Sequence, residues 1–244
     1  MGVKKYCLKH IGKVFTSKEG YKLEVIEGGS KKDLCIIKID DKYTREVSFI
    51  NFKTGRVKNF FHPSVFDKGF IGVGIYSLKE HKEIYLRWRA MLSRAYSVKY
   101  HIKYPSYKEV EVENQWLDFQ IFAKWSKENY VKDWELDKDL LNYTNNKKLY
   151  SEETSLYIPG ALNKFLANTM MNNSSGKIGC FLHKTTKKYQ VNISDMTGKT
   201  KYLGTRSTLE EASELYKAQR EIYANIWKER MIGILPQKAV DNIK

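Results

Sequence analysis

Between Ile11 and Tyr76 apolar side chains come in short runs that often alternate with polar ones. Lys22-Leu23-Glu24-Val25-Ile26, Leu34-Cys35-Ile36-Ile37-Lys38-Ile39 and Arg45-Glu46-Val47-Ser48-Phe49 are the clearest, punctuated by Gly28-Gly29 and Asp40-Asp41. Such runs, rich in β-branched residues and bounded by turn formers, predict a small antiparallel sheet or barrel over residues 1–76. The stretch Gly69-Phe70-Ile71-Gly72-Val73-Gly74 lacks the GxGxxG spacing of a phosphate loop and opens no helix, so a turn or packing role is expected.

From Glu83 the period lengthens. Ile84, Trp88, Met91, Leu92 and Ala95 form the stripe of an amphipathic helix, with Arg87 and Arg94 on one flank. A second helix is predicted from Trp116 to Asn129, apolar nearly all round and therefore buried. Trp134 to Leu141 and Leu156-Tyr157-Ile158 read as short strands, and Pro159 suits the first residue of a helix running past Asn163. Residues 169–176 are polar and turn-rich, a linker pattern. Beyond them lie β runs at Ile178 to Leu182, Lys188 to Ile193 and Thr200 to Gly204. Thr208-Leu209-Glu210-Glu211 has the capping-box form, and the helix after it carries Ala212, Leu215, Tyr216, Ile222, Tyr223, Ile226 and Trp227.

The fold class that follows is α+β. It comprises a small β domain (1–76), central helices with a ββα core (77–168), a linker (169–176) and a three-stranded sheet with a packed helix (177–244).

Composition narrows the partner. Lys and Arg number 43 against 28 Asp and Glu, a net charge of +15, which favours polyanions. Lys82, Arg87, Arg89, Arg94, Lys99, Lys103 and Lys108 face Glu83 alone and are interleaved with Tyr96, Tyr100, Tyr104 and Tyr107, a mixture suited to a phosphate backbone. Between Lys177 and Arg206, seven basic residues accompany a single acid, Asp195. Double-stranded DNA is the expected partner. Membrane association is not expected, because neither a Lys-rich amphipathic helix nor a lipidation signal is found. With no apolar run of membrane-spanning length and no secretory h-region, a cytoplasmic protein is expected. Cys7, Cys35 and Cys180 are scattered and odd in number, which suggests neither a disulfide framework nor a zinc site. His10, His62, His81, His101 and His183 are isolated and read as structural or surface residues.

Leu136-Asp137-Lys138-Asp139, Asn145-Asn146-Lys147, Ser151 through Pro159 and Asn163 resemble the core of the HNH, or ββα-metal, nucleases. The step of nine residues from Thr154 to Asn163 is the family's spacing between its central Asn and its helical ligand. This resemblance implies Asp137 and Asn163 as oxygen ligands of Mg²⁺ or Mn²⁺, with Lys138 where the family has its general-base His and Thr154 where it has the orienting Asn. A lysine serves as base only if its pKa of about 10.4 is depressed by burial or a nearby cation; otherwise Lys138 is a phosphate contact. The layout from Gly69 through Tyr85-Leu86-Arg87-Trp88 to the Leu-Asp-Lys-Asp strand also resembles phage-encoded HNH proteins, with Glu113 and Ser155 where cysteines are expected.

Ile178-Gly179, Lys188-Tyr189-Gln190-Val191, Tyr202-Leu203-Gly204 and Glu210-Glu211-Ala212 resemble the DNA-binding domain of plant ethylene-response factors, a module also found on some homing endonucleases. That resemblance implies a sheet face in the major groove. It nominates Lys184, Lys187, Lys188, Gln190, Asn192, Lys199, Lys201 and Arg206, alongside Arg87, Arg89 and Arg94 of the central helix, as DNA contacts. Two readings stay open: a metal-dependent endonuclease of the homing type, and a nuclease-derived protein that binds DNA without cutting, as a regulator or a phage factor acting against a host system. An RNA-binding role has less support, since no RNP-type aromatic motif is present.

Overall fold

Short-period patterning at the start of the chain becomes a meander. The computed structural model describes residues 5–141, 148–167 and 175–244, and the chain divides into two compact units, Met1–Gly74 and Ile75–Lys244. In the first, helix α1 (Lys5–Leu8) precedes strands β1 (Val14–Thr16), β2 (Lys22–Gly28), β3 (Leu34–Ile39) and β4 (Tyr43–Ser48), followed by α2 (Phe49–Lys53). The four strands pair antiparallel in sequence order. Alternation decides which face is covered: Leu23, Val25, Cys35, Ile37, Ile39 and Val47 are buried with Phe52 of α2. The glycine-rich stretch takes the packing role expected of it. Gly69 bridges to Val65, and Gly72, at φ 69°, donates its N–H to the Phe60 carbonyl.

One expectation is corrected. Cys7 and Cys35 form a disulfide, with Cα atoms 5.7 Å apart. They are separated by 28 residues, and only the packing of α1 on β2 and β3 brings them together, which spacing in the sequence does not express.

The second unit contains α3 (Lys82–Tyr96), α4 (Val98–Lys103), β5 (Glu111–Val112), α5 (Phe119–Asn129), β6 (Trp134–Asp137), β7 (Leu149–Tyr150), β8 (Leu156–Pro159), α6 (Gly160–Leu166), β9 (Cys180–Leu182), β10 (Tyr189–Ser194), β11 (Thr200–Arg206), α7 (Leu209–Met231) and α8 (Gln237–Asp241). The stripe predicted on α3 is its buried set: Ile84, Trp88, Met91, Leu92 and Ala95. Trp88 donates its indole N–H to the Trp116 carbonyl at 2.7 Å, which satisfies the one polar atom of a fully buried ring. Strands β6 and β8 pair antiparallel, Asp137 opposite Leu156, and α6 leaves directly from β8 to complete the predicted ββα hairpin.

The C-terminal sheet has the order β11-β10-β9, with α7 packed on one face. Most of the expected linker, like the Asn145-Asn146-Lys147 loop, lies outside the described residues, and the segments flanking that linker share a core. Leu140, Leu156, Ile158, Leu162 and Phe165 of the central segment pack with Ile193, Tyr223, Trp227, Met231, Val240 and Ile243. The expected break between residues 168 and 177 is therefore not a boundary between compact units. No helix among the described residues is long and apolar enough to cross a membrane.

Candidate nucleic-acid interface

Register settles which C-terminal side chains share a face. Residues opposed across an antiparallel pair lie on the same side of the sheet. Val191 and Ile193 are buried under α7, so Gln190, Asn192 and Ser194 point the other way. Their partners on β11 are Thr205, Tyr202 and Thr200, and Phe181 of β9 opposes Gln190. A bulge at Val191/Asn192 leaves Leu203 packed toward α7 and returns Tyr202 to the open face, where its hydroxyl bonds Thr205 Oγ1.

Lysines gather in the turns at the two ends of this face. Lys184, Lys187 and Lys188 lie in the β9–β10 turn, where His183 exchanges backbone hydrogen bonds with Lys187 and Lys188, and all three are exposed. Lys199 is exposed in the β10–β11 turn. Asp195, the sole acid of the region, is committed to that turn: Oδ1 accepts from the Thr197 hydroxyl and from the N–H groups of Thr197 and Lys199. These bonds hold its carboxyl below the usual range. Lys201 and Arg206 do not belong to the open face. They oppose Ile193 and Tyr189, on the helix side, and Lys201 Nζ donates to the Tyr223 hydroxyl at 3.3 Å.

Arg87 and Arg94 both line a groove beside the flank of α3. Arg87 lies over the rings of Tyr130 and Tyr157, at 4.9 and 5.7 Å, and the groove also holds Glu83, Asp133 and Glu135. With Glu83, Asp133 and Glu135 beside Arg87 and Arg94, carboxylates outnumber guanidinium groups in this groove, which suits a phosphate poorly. Arg94 also lines a cleft of about 510 Å³ on its other side, and it donates to the Tyr150 hydroxyl at 3.3 Å. Arg89 is exposed on α3.

Of the four residues nominated for catalysis, the cleft receives three. Asp137, at the end of β6, accepts the N–H groups of Asp139 and Leu140 on Oδ1, at 3.0 and 2.8 Å, and burial pushes its carboxyl above the usual range. Lys138 is buried: its ammonium donates to Asp139 and lies 5.8 Å from the ring centroids of both Tyr107 and Tyr150. Asn163, in the first turn of α6, donates its amide to Glu135 across the hairpin. Thr154 is elsewhere, fastening its own loop by donating to the Leu149 carbonyl and accepting from the Ser151 N–H.

Arg220, Asn242 and Lys244 also line the cleft, from segments far along the chain that no local pattern connects to β6. Arg220 donates to the Phe165 carbonyl at 2.9 Å, and Asn242 to that of Leu140 at 2.8 Å. Arg94, Lys138, Arg220 and Lys244 outnumber Asp137 and Asp139, so the cleft suits an anion better than a cation. Among the described residues no three His, Cys, Asp or Glu side chains converge as a metal site would require. Asp137 and Asn163, the ligands that the resemblance implies, both line the cleft, but two backbone amides already occupy one oxygen of Asp137 and the Asn163 amide donates to Glu135.

No family model, curated protein or solved structure matches this chain. The resemblances therefore rest on the residues quoted for them, and the geometry carries the functional argument.

Proposed function

We propose that the chain binds double-stranded DNA through the open face of β9, β10 and β11. The observation that carries this reading is the register that gathers Gln190, Asn192, Thr205 and Tyr202 on one uncovered face with lysines in the turns at both ends. Amide side chains can make paired hydrogen bonds to base edges, and lysines neutralise phosphates. Strands spaced roughly 4.8 Å apart make a three-stranded ribbon about 10 Å wide between its outer axes. A major groove is about 12 Å wide.

The central hairpin supports binding rather than turnover. Lys138 is tied to Asp139 within a ring of tyrosines, Asp137 caps two backbone amides and Thr154 is spent on its loop. In this reading the protein shares the layout of an HNH-type nuclease but acts as a binding protein, with the cleft as an additional phosphate contact.

A duplex titration over a salt series, run beside plasmid cleavage in Mg²⁺ or Mn²⁺, tests it. Replacing Gln190 and Asn192 with Ala should cost about 1–3 kcal/mol at the preferred sequence for each base that is no longer read, and little elsewhere. Replacing Lys184, Lys187 and Lys188 should weaken all sequences alike and flatten the salt slope by about 0.9 for each phosphate that is no longer neutralised. Unchanged duplex affinity in both variants would refute the sheet assignment, and metal-dependent cleavage abolished by Asp137→Asn would restore the endonuclease reading.

A further inference from the structure

Within the Met1–Gly74 unit, a groove of about 410 Å³ runs along the edge strand β4, lined by Arg45, Arg56, Lys58, Asn51 and Phe60 among others. The order of its side chains is unusual for a surface charge cluster. Tyr43 and Phe60 stack with planes 20° apart and centroids 6.2 Å apart, and the Tyr43 hydroxyl accepts the Phe60 N–H at 2.9 Å. The Arg45 guanidinium rests over the Phe60 ring at 4.3 Å and donates Nη1 to the Lys58 carbonyl at 3.2 Å. A cation otherwise free to rotate is thus held against an aromatic ring before any ligand arrives. Phe61 packs edge-on against Tyr43 at 5.2 Å, and the Gly72 N–H fixes the backbone of Phe60 by donating to its carbonyl.

The groove's charge is nearly all positive. Its one carboxylate, Glu46, accepts from both the N–H and the hydroxyl of Ser30, and these bonds hold its pKa below the ordinary value. Arg56 and Lys58 are exposed beside the stack. A fixed guanidinium plane is a surface on which an unpaired nucleobase stacks, while flexible cations next to it follow a phosphate backbone. A duplex offers no free base face to such a plane. An acidic peptide would use the charge but would gain nothing from the ordered stack. The volume lies within the roughly 300–1,000 Å³ usual for ligand clefts.

We propose that this groove binds single-stranded nucleic acid, with one base stacked on Arg45, its edge within reach of Asn51, and the flanking phosphates on Arg56 and Lys58. The site is independent of the duplex-binding sheet, so the two assignments fail separately.

The test uses the full chain with fluorescein-labelled oligothymidylate, oligouridylate and a blunt-ended two-strand duplex. Arg45→Ala should weaken single-strand binding on the order of tenfold, the value of one base stack, and leave duplex binding unchanged. Arg45→Lys keeps the charge but cannot lie flat, and should show most of the same loss. Arg56→Ala and Lys58→Ala touch no packed ring and should each lower the single-strand salt slope by about 0.7. Preference between the thymidylate and uridylate probes identifies DNA or RNA as the strand bound. The proposal is overturned if Arg45→Lys binds single strands as the parent does, if the losses are equal on the duplex, or if polyglutamate competes as well as the oligonucleotides.

Discussion

Asp137 shows how one side chain can satisfy a motif and still serve the fold. Its Oδ1 caps the N–H groups of Asp139 and Leu140 where β6 ends, a role that a neutral amide oxygen fills equally well. Burial opposes the ionised form, and the backbone N–H of Leu140 only partly offsets it, so the folded-state pKa is raised. For a carboxyl with a raised folded pKa, protonation favours folding. Its stabilising contribution is complete below the unfolded value of about 3.9 and is lost as pH rises through the folded value. Asp137→Asn is therefore expected to raise the thermal midpoint at neutral pH, with a gain that shrinks on acidification and disappears below about pH 4. A pH series of melts checks this, and a loss of stability at pH 7 would mean that the charge itself is needed. Lys138 teaches the complementary lesson. The sequence allows it to be a base or a phosphate contact, whereas its ammonium is buried against Asp139 and two tyrosines, one of which, Tyr150, lies a dozen residues further along the chain.

Elements with local signatures are the ones the sequence expressed best. The α3 stripe, the three C-terminal strands and the Thr208–Glu211 capping box all follow from spacing within a few residues. Thr208 Oγ1 accepts the Glu211 N–H at 3.2 Å, and the Glu211 carboxylate accepts the Thr208 N–H at 3.3 Å. Thr208→Ala should cost about 1 kcal/mol, a drop of roughly 2–4 °C in the midpoint for a unit of this size. Denaturant melts measure it, and no change would show that packing alone holds the start of α7. Gly179 illustrates what a local pattern cannot express. At φ +74°, a Cβ there would meet the Tyr216 ring at 2.2 Å and the Asn192 carbonyl at 2.7 Å, a demand set by α7 some forty residues later. The same reason hid the Cys7–Cys35 pair, the cleft roles of Arg220 and Asn242, and the orientation of Lys201 and Arg206. Sequence lists basic residues on strands, but only the pairing register and its bulge say which face each one takes.

At the scale of the molecule, the resemblance to two separate modules meets a single compact unit from Ile75 to Lys244. The polar stretch around residue 170 looks like a boundary because linkers and surface loops share composition. What decides is where apolar faces go. Beyond the C-terminal sheet, α7 meets α6 and β8 through Tyr223, Trp227 and Met231, and α8 closes the same core with Ala239, Val240 and Ile243. Neither half can bury these side chains alone. Duplex binding by the open sheet should therefore require the central hairpin as a support, even though the hairpin contributes none of the residues on that face. Trp227→Ala is expected to cost about 3–5 kcal/mol and to expose the backbone amides of β8 and β10 to hydrogen exchange together. A fragment of residues 175–244 should show no cooperative melt and bind duplex DNA far more weakly than the whole chain. If that fragment melts in a single sharp transition and retains full affinity, the shared core is incidental and the C-terminal sheet is an independent reading head.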